Sequence, residues 1–226
     1  MRSPGKTLIS VFLLLGSWGL SAQQRWVEVR NEPYHHVVLE NNYARLLNVL
    51  INPGDTTQYH RHNTPSVFIQ LSNNKVGSQL LGGPAVISNN IFTHSLTFDS
   101  LNRERIHRVW NLDTVWMHVM DVEIIAKSPS RPIHHLAGPG LKLVFAEEKV
   151  IGYELSLETN KSFDLSQSKS PCLLVSLSEG AITLETSGSP GRFLLKPGHY
   201  FWIEQGELKK LVNADNRNLQ FALLQF

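Results

Sequence analysis

From Arg45 to the C-terminus the sequence is a succession of short runs of β-forming residues, each closed by a turn signal. Arg45–Ile51, Ser66–Leu71 and Trp116–Ile124 are rich in Val, Ile, Leu, Phe and Trp. Asn52-Pro53-Gly54-Asp55, Asn73-Asn74, Gly82-Gly83-Pro84 and Asn111-Leu112-Asp113 interrupt them. No long, capped segment of helical period breaks the rhythm, so the chain is expected to be all-β, a sandwich or a barrel. Ala126–Ile133 is polar and holds two prolines, and the sequence beyond it repeats the organisation before it. Leu141–Phe145 opens like a first strand, Cys172–Ser178 stands in the place of Ser66–Ser72, and Lys196–Ile203 precedes a closing pair. Two homologous β-domains are expected, residues 23–126 and 136–226 joined by a linker at 127–135; one continuous sandwich is the alternative.

The first 22 residues are set aside before any fold reasoning. Arg2 and Lys6 precede the apolar run Leu8–Gly16, and Ser21-Ala22 offers a small-residue cleavage site, the pattern of a signal peptide. The apolar run is too short to span a bilayer comfortably, so the mature chain is expected to begin near Gln23 and to be exported, periplasmic or secreted. Removing Arg2 and Lys6 takes Lys+Arg from 21 to 19 against 19 Asp+Glu, which leaves a formal net charge of 0. A neutral surface without a basic stripe argues against a nucleic-acid partner, and nothing beyond export points to a membrane. Cys172 is the single cysteine, so no intramolecular disulfide can form and stability must come from core burial. In the apolar run Pro171–Val175 its thiol reads as buried and inert.

The chemistry concentrates in Pro53–His62 and His107–Asn111. His60 and His62 are spaced i, i+2, which places both imidazoles on one face of a strand. A third histidine from a distant strand, His107, can close a facial metal site. Imidazole nitrogen suits a divalent transition metal without choosing one. A surface His-x-His pair on an edge strand is the competing reading, since the chain has ten histidines.

These residues resemble the cupin superfamily, and the internal duplication resembles a bicupin. Gly54, His60 and His62 match the spacing of the first cupin motif, but Ser66 or Val67 stands where its Glu belongs and Asn73 where it closes on Gly. His107 and Asn111 match the tail of the second motif, with Asn102 and Glu104 in place of its Pro and Gly. In the second half Gly206 and Asn213 remain, Lys209 takes the place of the metal histidine, and Ser166 and Ser168 align with His-x-His. The resemblance implies two tandem antiparallel β-barrels of the double-stranded β-helix, or jelly-roll, type. It implies a metal in the N-terminal barrel on His60, His62 and His107 (Fe, Mn, Zn or Ni) and a degenerate C-terminal barrel without ligands.

In the same pattern Ser66, Phe68 and Gln70 face the barrel interior, and Gln70 becomes a candidate substrate contact. On the strand Trp116–Ile124, the positions Trp116, His118, Met120, Val122 and Ile124 are apolar apart from the histidine. That face is expected to point inward, which makes His118 a fourth ligand, a general base or a satisfied core residue. Arg105 shares parity with His107 and is the best placed arginine to clamp an anion, whereas Arg61 and Arg108 should point away. The pairs His35-His36 and His134-His135 read as surface or linker residues.

The implied function is a metal-dependent enzyme acting on a small organic molecule, dioxygenase-like or isomerase- or hydrolase-like. The alternative is a non-catalytic cupin module that binds a small molecule or sugar. A monomer or weak homodimer is expected, because two barrels in one chain can pack as an internal pseudo-dimer.

Overall fold

A computed structural model describes residues 26–89, 94–128, 133–166, 168–186 and 188–226; the expected signal peptide lies outside them. The N-terminal half contributes β1 (Val27–Glu28), β2 (His35–Glu40), β3 (Ala44–Ile51), β4 (His60–His62), β5 (Ser66–Gln70), β6 (Lys75–Leu80), β7 (Ala85–Asn89), β8 (Leu96–Asp99), β9 (Arg105–Asn111) and β10 (Met117–Ile124). The C-terminal half contributes β11 (Leu141–Ala146), β12 (Ile151–Leu157), β13 (Ser162–Asp164), β14 (Cys172–Ser176), β15 (Gly180–Thr186), β16 (Gly191–Leu195), β17 (Tyr200–Ile203), β18 (Leu208–Asn213) and β19 (Leu219–Gln225). Each half is two facing sheets: β1-β4-β9-β6-β7 with β2-β3-β10-β5-β8, then β11-β12-β19-β14-β17 with β13-β18-β15-β16. Apart from the short 3-10 turn Val29–Asn31, no helix occurs among the described residues.

Strand crossovers follow the same order in the two halves, and one turn device recurs in both. Asn111 closes β9 by donating its side-chain amide to the carbonyls of Ile51 and Val115 and accepting from the Asp113 amide. Asn213 closes β18 in the same way, on Leu157, Arg217 and Asp215. Ahead of β4 the chain turns at Gly54, whose φ of 81° favours glycine and whose amide donates to the Asn111 carbonyl.

The sheets are apolar on both faces, because each of the two inner ones is buried twice. Along β14, Cys172 and Leu174 join the core of the C-terminal barrel, while Leu173 and Val175 join a second cluster. That second cluster also takes Leu224 and Phe226 from the C-terminal half, and Leu46, Val67, Ile69, Met120, Val122 and Ile124 from the N-terminal half. The β3–β10–β5 face of one barrel therefore packs against the β14–β19 face of the other, sheet on sheet. Aromatic residues seal the junction: Tyr43 lies 5.7 Å from Trp202, and Phe98 lies 5.4 Å from Phe145. The Tyr200 hydroxyl donates across it to the Val38 carbonyl at 2.6 Å.

Alternation explains one departure from expectation. On β10 it is Met117, Val119 and Asp121 that face the N-terminal barrel interior, whereas Met120, Val122 and Ile124 face the other barrel. The apolar face identified in the sequence is real, but it is the inter-barrel face. His118 goes with it.

Candidate metal centre

Strand pairing brings the histidines together. In the β4–β9 ladder His60 stands opposite His107, and His62 opposite Arg105. Directly opposed residues of an antiparallel pair share a face, so two short strands deliver three imidazoles to one spot. Their ring centroids lie 4.5 Å (His60–His107), 5.0 Å (His62–His107) and 5.1 Å (His60–His62) apart. One nitrogen from each falls within 4.8 Å of the others, the only such group of metal-ligating side chains among the described residues.

The electrostatics suit a cation. Burial first, and the neighbouring imidazoles next, hold His107 down at about 2, and burial with His35 holds His60 at about 4. His62 is lowered further by the same causes. All three are therefore neutral lone-pair donors at neutral pH. His60 donates its Nδ1 proton to the Gln58 carbonyl at 3.0 Å, since a carbonyl can only accept, and this leaves Nε2 free as a lone pair. His62 Nδ1 and His107 Nε2 are buried without a hydrogen-bond partner. Buried polar atoms are rarely left so, and for His107 Nε2 a bound cation is a partner that fits.

The trio opens into a cavity of about 160 Å³, walled by Val49, Ile51, Phe68, Val109, Met117 and Val119 and carrying the polar groups of His35, Gln70 and Asp121. Gln70 lines it as expected, with its amide nitrogen anchored to the Ser72 carbonyl at 2.8 Å. A larger open depression of about 500 Å³ around Leu101 and Arg103 contains no such convergence of groups.

Two candidates sit elsewhere. The His118 ring is on the opposite face of its sheet, where Nε2 meets the Asn48 side chain at 2.7 Å. It approaches Gly198 of the other barrel so closely that a Cβ there would lie 2.7 Å from its ring. Arg105 starts on the histidine face but lays its guanidinium over Phe68 and pairs with Asp99. It edges the site without lining it. Arg61 pairs with Glu28, and Arg108 with Gln79, both away from the cavity.

The sequence reading missed two cavity groups, His35 and Asp121, and the glutamate that holds the first. His35, expected at the surface, is buried with its ring 4.6 Å from that of His60. Beneath it, buried Glu32 accepts from His35 Nδ1 at 2.6 Å, from the Tyr34 amide at 2.8 Å and from the Gln58 amide at 3.1 Å. Burial alone would raise the Glu32 carboxyl, but these bonds outweigh it and hold the group below its ordinary value. Asp121 is the other cavity group: fully buried, with neither oxygen within hydrogen-bond distance of a partner, and 3.6 Å from His62 Nδ1. Burial, and then the Glu123 carboxylate, push its carboxyl up to about 7.

Among the described residues the C-terminal barrel shows no such group of metal-ligating side chains. Leu165 is inward and paired across the ladder with Lys209, while Lys209 is exposed next to a register irregularity at Glu185/Thr186. Tyr153, Phe163, Leu174, Leu211, Phe221 and Leu223 fill its interior. Cys172 sits among them, with burial pushing its thiol up to about 11.

No protein-family model and no curated protein matches the chain. Solved structures do. A cupin 2 conserved barrel domain protein from Leptotrichia buccalis is 12% identical with a TM-score of 0.54, over 84% of this chain and 87% of that one. A salicylate 1,2-dioxygenase from Pseudaminobacter salicylatoxidans is 10% identical with a TM-score of 0.56, over 81% and 71%. The oxalate decarboxylase of Lactobacillus farciminis, solved with formate, is 10% identical with a TM-score of 0.55, over 84% and 83%. At these identities the likeness is one of fold, and it spans both barrels: the chain folds as two tandem cupin barrels.

Proposed function

We propose that the N-terminal barrel binds one divalent transition metal (Fe, Mn, Zn or Ni) through His60, His62 and His107 and uses it to transform a small organic molecule. The observation that carries this reading is the meeting of three neutral imidazoles, two buried and one half-buried, with His107 Nε2 orphaned, at the wall of one cavity. A dication held by neutral ligands acts as a Lewis acid toward an oxygen of the bound molecule. The chain's own groups set what can enter. At about 160 Å³ the cavity admits a molecule of few heavy atoms, and its aliphatic and aromatic walls exclude water from the body of that molecule. His35, held by Glu32, and Gln70 are placed to hydrogen-bond its polar end. The dioxygenase and decarboxylase among the structural neighbours act on small carboxylates by their names, which fits a ligand of this size.

The C-terminal barrel, residues 136–226, serves in this reading as the structural support of the 23–126 domain. The Arg2–Ala22 pattern supports export, and the internal pairing of barrels supports a monomer or weak homodimer.

Metal content decides the matter. The chain from residue 23, purified without a His-tag, should carry about one metal ion, and a His60→Ala/His107→Ala variant none. A wild type that neither carries nor takes up metal would remove the enzyme reading. Metal-independent stabilisation by a small molecule or sugar would then favour the binding module.

A further inference from the structure

Asp121 and His62 are two orphans facing each other. Asp121 is 1% exposed, neither of its oxygens has a hydrogen-bond partner, and His62 Nδ1 has none either. The two side chains stand 3.6 Å apart, a small rotation from a hydrogen bond. A buried carboxylate without compensation is among the most unfavourable things a core can contain. The nearby cations are already engaged elsewhere: Arg105 pairs with Asp99, and Arg45 with Glu123 and Glu40. Ser66 and Arg105 temper the Asp121 charge from nearby, but neither stands within hydrogen-bond distance of its oxygens.

We infer that Asp121 is the carboxylate of the metal centre, contributed by β10 in place of the acidic residue that the Gly54–Asn73 segment lacks. It accepts the Nδ1 proton of His62 and thereby turns His62 Nε2 toward the cation. The inference rests on the metal reading above. It gives His62 the same logic as His60. Gln58 fixes the His60 tautomer through its carbonyl, Asp121 fixes that of His62, and His107 already has an unpartnered Nε2. Carboxylate–histidine–metal chains of this kind orient the ring and raise its basicity. Asp121 also lowers the net charge of the loaded centre from +2 to +1, which gives the buried carboxylate the compensation that the apo site withholds.

The test uses zinc alone as the probe, with wild type, Asp121→Asn and Asp121→Ala in the chain from residue 23. Zinc affinity is measured by chelator competition, and the melting temperature of the metal-free proteins alongside. The expected result is a loss of affinity of about 10- to 100-fold in both variants, with an apo melting temperature equal to or above wild type. A merely structural aspartate gives the opposite pair: a lower apo melting temperature and unchanged affinity of the folded protein. Cobalt loading adds a readout independent of affinity, because the d–d bands of the Asp121→Asn protein should shift if His62 is reoriented. Wild-type-like affinity and cobalt spectrum in Asp121→Asn would overturn the inference while leaving the metal site standing. A wild type that binds no zinc would overturn both.

Discussion

His35 and Glu32 show how a single pair can redirect the reading of a site. Glu32 satisfies three donors at once, so Glu32→Gln should remove a charge-assisted bond to His35 and destabilise the chain by about 1–3 kcal/mol. Urea denaturation of the two metal-free proteins measures it. The histidine trio carries a pH prediction whose sign is fixed by its neutral burial. His60 titrates at about 4 and His107 at about 2 in the fold, whereas an unfolded imidazole titrates at about 6.5. Above that unfolded value the trio places no demand on the fold. As pH falls below it, the unfolded chain takes up protons that the folded chain refuses, and stability is lost progressively toward the folded values. Urea midpoints of the metal-free chain should therefore drop between pH 7 and pH 4, about where unfolded imidazoles begin to protonate. A variant with His60, His62 and His107 all changed to Asn should lose less over the same range.

At the scale of the strand, β10 is the element on which the site turns. Its side chains alternate between the metal cavity and the inter-barrel core, so His118→Ala should leave zinc affinity unchanged, while Met120→Ala should cost about 2–5 kcal/mol through the void it opens. Chelator competition and urea titration check the two halves of that statement. The same strand marks the limit of what the sequence reveals. Alternation correctly pairs His60 with His62, turns Arg61 outward and brings Phe68 and Gln70 to the cavity, because β4 and β5 each show a polar or ligand-bearing face. On β10 both faces are buried, and which of them lines the cavity depends on a second sheet packing from outside. Asp121 was the available signal. Glu123, on the same face, is paired with Arg45, whereas Asp121 has no cation of its own, and the cavity is the side that can offer one. His35 gave no such signal, since its burial arises from the turn around Glu32 and not from any period in the sequence.

The whole molecule is a pair of barrels joined by a shared core to which both halves contribute. The sheet β2-β3-β10-β5-β8 holds the metal-side residues on one face and leans on the C-terminal barrel with the other. The three imidazoles stand on the facing sheet, on β4 and β9, and it is the wall opposite them, with Gln70 and Asp121, that the apolar second barrel packs from behind and stiffens. The junction is closed at the chain terminus by Phe226, whose ring lies 5.4 Å from Trp202 and 6.2 Å from Tyr43 and whose amide donates to the Pro171 carbonyl. Phe226→Ala should therefore destabilise by about 3–5 kcal/mol, although the residue lies in the barrel that holds no histidine of the trio. Because the shared cluster runs through both halves, calorimetry should record one cooperative transition for the wild type, and the variant should lower it without splitting it. Two separate transitions, with the N-terminal one unmoved by Phe226→Ala, would mean that the barrels fold independently and that the second does not brace the first. Zinc added to the wild type should raise the entire transition, since a ligand bound in one barrel stabilises whatever unfolds with it.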